Sequence, residues 1–211
     1  MSTSTTYTIG IIGAGNMGAA FAKRLAAAGH RVAITATDAS QAEQAARAAG
    51  AGARAVPAAE VARGADLLIL AVPYGAAVDA LRAAGDLAGT TVIDISNPLK
   101  PDMSGLQVGH TTSAAEEIQR AVPTARVVKA FNTIFAPLLA GDARAQVFFA
   151  GDDAEAKERV RAVIDSAGFE AVDAGPLANA RHLEPAGMLN IYFAYVAGRG
   201  PVAAPAWVAV A

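Results

Sequence analysis

The 211-residue chain contains no cysteine, which excludes disulfide bonds, thiolate nucleophiles and cysteine metal ligands. It also lacks an excess of either charge, since 17 lysines and arginines against 19 aspartates and glutamates give a net charge of −2. Such a balance provides no attraction to nucleic acid or to an acidic membrane surface. No apolar run reaches the roughly 18 to 20 residues that a membrane-spanning helix requires. The nearest candidate, residues 186–198, is too short and predicts a buried helix instead.

The sequence also lacks the motifs of several large protein classes. The N-terminal segment is short, polar and uncharged before the first apolar run, unlike a secretory signal, so we expect a cytoplasmic protein. No histidines and carboxylates have the spacing of a metal site, and no protein-bound metal is therefore expected. Neither a Gly-x-Ser-x-Gly elbow nor a phosphate-binding lysine loop is present, which argues against hydrolases and P-loop enzymes.

The sequence does contain a regular alternation of apolar runs and helical segments. Six runs are apolar at nearly every position, which is typical of strands covered on both faces. These runs are residues 7–12, 31–35, 66–72, 90–96, 125–131 and 146–151. The helical segments between them are residues 17–28, 41–49, 76–84, 113–121 and 154–167. A seventh strand at 169–175 and a long helix at 179–196 follow, so the pattern predicts an α/β fold with a parallel, doubly wound sheet.

Three glycines mark the junction between the first strand and the first helix. Gly13, Gly15 and Gly18 form G-x-G-x-x-G, in which the first glycine permits a tight turn. The second lets the backbone approach a pyrophosphate, and the third lets the helix pack closely on the strand. We therefore predict a Rossmann-type dinucleotide-binding core in residues 1–135. Residues 136–211 are predicted to be a C-terminal helical extension that completes the sheet.

The end of the second strand does not decide between NAD and NADP. NAD-binding units place an acidic residue about 20 residues after the glycines, and Ala36 occupies that place here, with Asp38 slightly beyond it. No arginine is present to meet the 2′-phosphate of NADP, although Thr35 and Thr37 carry hydroxyl donors. Asp38 is expected either to accept a hydrogen bond from a ribose hydroxyl or to cap the following helix.

Polar turn residues follow three further strands. They lie in "VPY" (72–74), "SNP" (96–98) and "FNT" (131–133), each just past the carboxyl end of a predicted strand. Ligands of open parallel sheets bind at that edge, so we expect these residues to line one site. Ordinary turn chemistry is the alternative explanation for Asn97, Pro98 and Asn132.

Several local strings resemble the NADPH-dependent coenzyme F420 reductase family and the related cytoplasmic oxidoreductase domain of six-transmembrane metalloreductases. The resemblance extends from Tyr7 to about Tyr195. The strings that carry it are "GIIGAGNMG", "AVPYGAAVDAL", "IDISNPL", "VVKAFNTI", "GDDAEAKERV" and "DAGPLANARHLE". It implies a Rossmann domain whose C-terminal part builds the acceptor site, and hydride transfer between a nicotinamide and a deazaflavin or flavin. The cationic residue that the family carries after the second strand is replaced by Thr37 and Asp38, so NAD stays an alternative to NADP.

The resemblance also implies roles for individual residues. Those expected to meet the pyrophosphate are Gly13, Ala14, Gly15, Asn16, Met17 and Gly18. Those expected near the adenosine ribose or its phosphate are Thr35 and Thr37. Those expected to border the nucleotide after the third strand are Val72, Pro73, Tyr74 and Val78. Those expected near the nicotinamide and the acceptor ring are Asn97, Pro98, Ala130, Phe131 and Asn132, of which Asn97, Phe131 and Asn132 are the candidate catalytic residues.

Three functions are compatible with this sequence. The leading interpretation is hydride transfer between NAD(P)H and coenzyme F420 or a similar deazaflavin or flavin. Reduction of another small acceptor would need a proton donor, for which Tyr74, His110 and His182 are the candidates. The third is an NAD(P)-binding redox sensor. Residues 188–196 are apolar on more than one helical face, which predicts either a homodimer or full burial within the monomer.

Overall fold

The computed structural model describes residues 5–142 and 144–209, so the first four residues of the polar N-terminal segment lie outside it. Eight strands form one sheet: β1 (Thr8–Ile12), β2 (Arg31–Thr35), β3 (Arg54–Ala55), β4 (Leu67–Leu70), β5 (Thr91–Asp94), β6 (Arg126–Lys129), β7 (Gln146–Gly151) and β8 (Glu170–Asp173). Seven α-helices accompany them: α1 (Asn16–Ala27), α2 (Ala39–Ala49), α3 (Ala77–Ala83), α4 (Ala114–Ala121), α5 (Ala136–Ala140), α6 (Ala154–Ser166) and α7 (Ala180–Ile191). These counts refer to the residues the structure describes.

The strand order is β3-β2-β1-β4-β5-β6-β7-β8, which confirms the Rossmann-type α/β fold. Two details differ from the sequence-based prediction. The two-residue β3 is too short to produce an apolar pattern, and β7 runs antiparallel to β6. A parallel return normally needs a crossover that contains a full helix, whereas the chain between β6 and β7 contains only the five-residue α5. The sheet is therefore mostly, and not wholly, parallel.

The sheet separates two apolar cores, as the uninterrupted apolar character of its strands predicts. In β4, Leu67 and Ile69 face a cluster formed with α1, α2 and α6, while Leu68 and Leu70 face a second cluster formed with α3 and α4. All four side chains are buried. Because both faces of the strand are covered, β4 reads as an apolar run without alternation.

Side chains at the helix starts fix where several helices begin. Ser113 caps α4, since its hydroxyl accepts a hydrogen bond from the Glu116 N–H at 3.2 Å. Asp38 and Asp153 cap α2 and α6 in the same way. Each cap satisfies a backbone donor that the helix itself leaves free.

The side chain of Arg24 joins α1 to the C-terminal part of the chain. Its Nε donates to the carbonyl of Ala167 at 2.6 Å, and its Nη1 donates to the carbonyl of Gly141. The guanidinium also lies over the Phe169 ring, 5.1 Å from the ring centroid. The helix that follows the glycine turn is thus fixed partly by residues more than 100 positions later.

The last helix ends in a wider, π-helical turn at Tyr192–Val196, so the predicted helix 179–196 forms two consecutive elements. Leu189, Tyr192, Tyr195 and Val196 are between 47% and 61% exposed, so this segment is not fully buried within the described part of the monomer. Within residues 5–142 and 144–209, no helix combines the length and the apolar character needed to cross a bilayer.

Candidate nucleotide and acceptor site

The glycine turn is formed as the motif predicts, and its three glycines meet different surroundings. A Cβ at Gly13, whose φ is +107°, would lie 2.3 Å from the carbonyl oxygen of Ala71. A Cβ at Gly18 would lie 1.8 Å from the carbonyl oxygen of Gly13. A Cβ at Gly15 would meet no described atom within 4 Å. The first and third glycines are therefore required by packing, while the second faces the open space where a ligand can approach the backbone.

The start of α1 is available to an anion. Gly15 is its N-terminal capping residue and provides no side-chain hydrogen bond, and the first turn contains no acidic residue. The first N–H groups of a helix lack partners within the helix, and they carry a partial positive charge. This arrangement is the usual protein site for a diphosphate.

A cavity of about 520 Å³ opens beside this turn. Of the residues predicted for the nucleotide site, it brings together Gly13, Ala14, Gly15, Thr35, Thr37, Val72 and Pro73. Asp38, Gln41, Ala58 and Ala80 also line it. Asn16, Met17 and Gly18 are part of α1, whose start borders the cavity, but none of these three residues lines it.

Tyr74 and Val78 lie elsewhere. Both line a neighbouring cavity together with Glu117 and Arg120. The Tyr74 hydroxyl donates a hydrogen bond to the Glu117 carboxylate. Burial, together with that carboxylate, raises the pKa of Tyr74 to about 12. The Tyr74 hydroxyl is thus hydrogen-bonded to Glu117, which lies outside the glycine-turn cavity. This contact argues against Tyr74 as the proton donor.

Asp38 caps α2, which was one of the two roles expected for it. Its Oδ1 accepts from the Ser40 N–H at 2.9 Å and from the Ser40 hydroxyl at 2.7 Å. These hydrogen bonds lower the pKa of the Asp38 carboxyl. The same carboxylate borders the cavity, so capping and a contact with a nucleotide are compatible.

Two asparagines form a hydrogen-bonded pair at the carboxyl ends of β5 and β6, which we call the amide pair. Asn97 Nδ2 donates to the Asn132 carbonyl at 2.8 Å, and Asn132 Nδ2 donates to Asn97 Oδ1 at 3.0 Å. Asn132 Nδ2 also donates to the Leu183 carbonyl at 2.7 Å. Asn132 is only 7% exposed, and among the described residues its Oδ1 has no hydrogen-bond partner. Most buried polar atoms in proteins have a hydrogen-bond partner, so this oxygen is an unusual acceptor without a donor.

Helix α7 presses directly on the amide pair. A Cβ at Gly187 would lie 2.5 Å from Asn97 Oδ1 and 2.8 Å from Asn132 Nδ2. Only glycine permits this approach without displacing the amides. The C-terminal extension therefore helps to hold both asparagines in place.

The ring of Phe131 is not at this edge. It is 1% exposed and packs edge-to-face against Phe21 at 5.0 Å and Phe169 at 6.0 Å between centroids. Its φ of +59° is uncommon for a bulky residue and turns the backbone between the buried Ala130 and Asn132. The expected contact between this side chain and a reacting ring does not fit its position in the core, because apolar burial holds the ring inside.

Beneath the amide pair lies a buried charge cluster that the sequence analysis did not identify. Lys129 Nζ lies 2.6 Å from Asp94 Oδ2 and 2.9 Å from Glu184 Oε1, and it donates to the Ser96 carbonyl at 2.8 Å. The three charged side chains are 0% to 1% exposed. The sequence does indicate such a cluster, because a lysine lies inside the apolar run of residues 125–131 and buried lysines are rare unless they are paired with an acidic residue.

Glu184 also connects the cluster to α4. Its carboxylate accepts from the N–H groups of Ala114 at 3.0 Å and Ala115 at 3.2 Å, at the N-terminus of that helix. The partial positive charge of a helix start favours a carboxylate there. One buried network therefore joins β5, β6, α4 and α7 directly behind the amide pair.

The three histidines do not form a site. His30 is buried beside α1, where its Nδ1 accepts from the Tyr7 N–H at 3.1 Å and its Nε2 lies 2.8 Å from the Ser166 hydroxyl. Burial lowers its pKa. His110 and His182 are exposed. Among the residues the structure describes, no group of three histidine, aspartate or glutamate side chains is arranged to hold a metal ion.

Comparison with known proteins relates the chain to a family of oxidoreductases. The profile of the family described as "NADP oxidoreductase coenzyme F420-dependent" matches residues 8–98. A solved structure from Arthrobacter sp. FB24, described as an F420-dependent NADP-reductase, is 33% identical with a TM-score of 0.78. The match covers 89% of this chain and 92% of that one. A hypothetical protein of Sinorhizobium meliloti is 34% identical with a TM-score of 0.75, over 85% and 90% of the two chains.

Two further relatives match over a smaller share of their own length. The metalloreductase STEAP3 of Rattus norvegicus is 31% identical over 179 residues, which are 83% of this chain and 35% of that protein. This chain thus spans about a third of the length of the curated relative it matches. A reductive aminase from Aspergillus terreus has a TM-score of 0.69 at 22% identity, over 92% of this chain and 64% of that one, and supports the fold alone.

Proposed function

The chain belongs to the coenzyme F420-dependent NADP oxidoreductase family, and on that premise we propose that it transfers hydride between NAD(P)H and coenzyme F420 or a similar deazaflavin or flavin. The observation that carries the proposal is the amide pair. It lies at the same sheet edge as the glycine turn, and its buried Asn132 Oδ1 lacks a donor among the described residues. A nicotinamide carboxamide has the N–H chemistry that this oxygen needs.

The nucleotide would bind across the carboxyl ends of the strands. In this proposal the N–H groups at the start of α1 hold the diphosphate, and the absence of any described neighbour at the Gly15 Cβ position supports this fit. Thr35 and Thr37 lie against the adenosine ribose, and Val72 with Pro73 cover the nucleotide from the β4 side. The shared cavity and the position of the helix start support these roles.

The amide pair and its supports would orient the reacting rings. The bound nicotinamide supplies the hydride, and the protein aligns donor and acceptor and limits access of water. Asn97 and Asn132 are proposed to fix the rings, with the backbone of Pro98 and Ala130 beside them. The buried Ile134 side chain helps to exclude water. Because α7 packs on both amides through Gly187, we propose that residues 136–211 complete the acceptor side.

Anaerobic stopped-flow with NADPH or NADH and a deazaflavin tests the proposal. We expect saturable nucleotide binding followed by reduction of the deazaflavin. The Asn132→Ala variant should slow hydride transfer about 10- to 100-fold, because one hydrogen bond to the ring and the order of the pair are lost. Asn179→Ala is the matched control, since Asn179 Nδ2 bonds the Ala174 carbonyl away from this edge. Tight nucleotide binding without reduction of any deazaflavin or flavin would reject hydride transfer to this class of acceptor, and would leave reduction of another small acceptor or a redox sensor as the function.

We further propose that the exposed apolar face around α7 pairs with a second copy of the chain. The exposure of Leu189, Tyr192 and Tyr195 supports a homodimer over burial within the monomer. Sedimentation velocity at micromolar concentration provides the test, and a monomer would reject the dimer. The cytoplasmic location expected from the sequence stays a prediction.

A further inference from the structure

The cavity beside the glycine turn has two distinguishable ends. Gly13 and Gly15 border one end, and Thr37, Asp38 and Gln41 border the other. A dinucleotide whose diphosphate lies at the start of α1 must extend its adenosine ribose along the end of β2. In Rossmann domains the residue that meets the ribose 2′ position lies about 20 residues after the glycines. Ala36 occupies that place here, and Asp38, two positions further along, is the acidic side chain nearest to it.

Asp38 is the one charged side chain among the described residues that line this cavity. The arginines nearest to β2 and β3 point elsewhere: they line a separate cavity at the amino ends of β1 and β2. These residues are Arg31, Arg54 and Arg63. Arg82 is adjacent to the lining residue Ala83, but it is largely exposed and its Nη1 lies 3.8 Å from Asp79 Oδ1. The adenosine end therefore offers a carboxylate and hydroxyls, without a lysine or arginine in its described lining.

We propose that Asp38 is a nucleotide-selecting residue, which favours the ribose hydroxyls of NADH and weakens the binding of the 2′-phosphate of NADPH. This member of an NADP-dependent family then accepts both nucleotides. The inference rests on the proposed function, because it assumes that a dinucleotide occupies this cavity.

The geometry of the cap supports this role. Both contacts with Ser40 use Asp38 Oδ1, so the carboxylate is fixed in orientation and Oδ2 is the second acceptor oxygen. A ribose 2′-hydroxyl can donate to such an oxygen, whereas a 2′-phosphate brings a charge of about −1.5 to −2 beside it. Asp38 is exposed, so the repulsion is screened and should weaken as ionic strength rises. An isosteric neutral side chain removes the repulsion and keeps an oxygen for the cap.

The test compares NADH and NADPH binding to the full chain by nicotinamide fluorescence. For Asp38→Asn we expect the ratio of the NADPH Kd to the NADH Kd to fall about tenfold at low salt, and less at 0.5 M salt. Asp153→Asn is the matched control, because it also removes a charge from a helix-capping carboxylate. That residue lies 3.4 Å from Arg126 at the start of β6, four strands away from β2 in the sheet. Its Kd ratio should equal that of the unaltered protein.

The outcomes separate this inference from the proposed function. Binding of both nucleotides with a ratio that Asp38→Asn changes less than about threefold would overturn the selecting role and leave the function intact. A ratio that changes equally at all salt concentrations would also contradict it, since the proposed repulsion is electrostatic. Failure of both nucleotides to bind the unaltered chain at millimolar concentration would instead remove the proposed function.

Discussion

Replacing Lys129 by methionine should strongly destabilise the protein. The ammonium of Lys129 contacts Asp94 and Glu184, and all three side chains are essentially inaccessible to water. Methionine fills similar volume but leaves two buried carboxylates without their cation. Removal of one partner from a buried ion pair typically costs about 3 to 5 kcal/mol. Domains are stable by only about 5 to 15 kcal/mol, so this loss is a large fraction of the total.

Urea unfolding followed by circular dichroism measures that loss directly. In a separate thermal unfolding experiment, we expect the Tm of a chain of this size to fall by about 6 to 20 °C. Lys23→Met is the matched control, because Lys23 is exposed on α1, and it should change the free energy of unfolding by less than about 0.5 kcal/mol. Adding Asp94→Asn and Glu184→Gln to Lys129→Met should recover part of the stability, since the uncompensated charges disappear. A loss below about 1 kcal/mol for Lys129→Met alone would refute the reasoning, because it would mean that the carboxylates do not depend on the lysine.

Two further predictions concern the glycine turn and His30. Gly18→Ala should lower stability by about 3 kcal/mol, because its Cβ would overlap the Gly13 carbonyl. Gly15→Ala should leave the free energy of unfolding in urea nearly unchanged, yet weaken nucleotide binding at least about tenfold. Equal losses of stability for Gly15→Ala and Gly18→Ala would contradict the different packing described for these two glycines. Burial lowers the pKa of His30, so the unfolded chain takes up the proton first and stability should fall as pH drops below about 6.5. His30→Gln should flatten that decline in urea titrations between pH 7.5 and 5.5, and an unchanged slope would show that another group is responsible.

The fold was largely predictable because its main signals are local. Uninterrupted apolar runs identify strands that are covered on both faces, and the G-x-G-x-x-G spacing places a tight turn between β1 and α1. The start of α4 at Ser113 was equally visible, since the cap and its partner Glu116 are three residues apart. The reversal of β7 was not, because strand direction depends on the path of the connection and leaves the apolar pattern unchanged.

The sequence predicts at which edge of the sheet the candidate site lies, but it predicts fewer of the contacts between the residues of that site. Parallel strands place Asn97 and Asn132 at the same edge, but their mutual hydrogen bonds depend on the register of β5 and β6. The inward position of Phe131 depends on a left-handed backbone that no sequence pattern announces for phenylalanine. Glu184 reaches Lys129 from 55 residues away, and such a partner cannot be recognised from spacing.

The hydrogen bonds of Arg24 have a consequence for how the chain can be divided. The guanidinium that steadies α1 is held by the carbonyls of Ala167 and Gly141, both beyond residue 135. A fragment that stops there would expose an orphaned cation and an uncovered patch around Phe131, whose ring normally rests on Phe169. The segment that carries the glycine turn is therefore not expected to fold on its own. A fusion or a truncation that keeps this segment also has to keep the carboxy-terminal third of the chain.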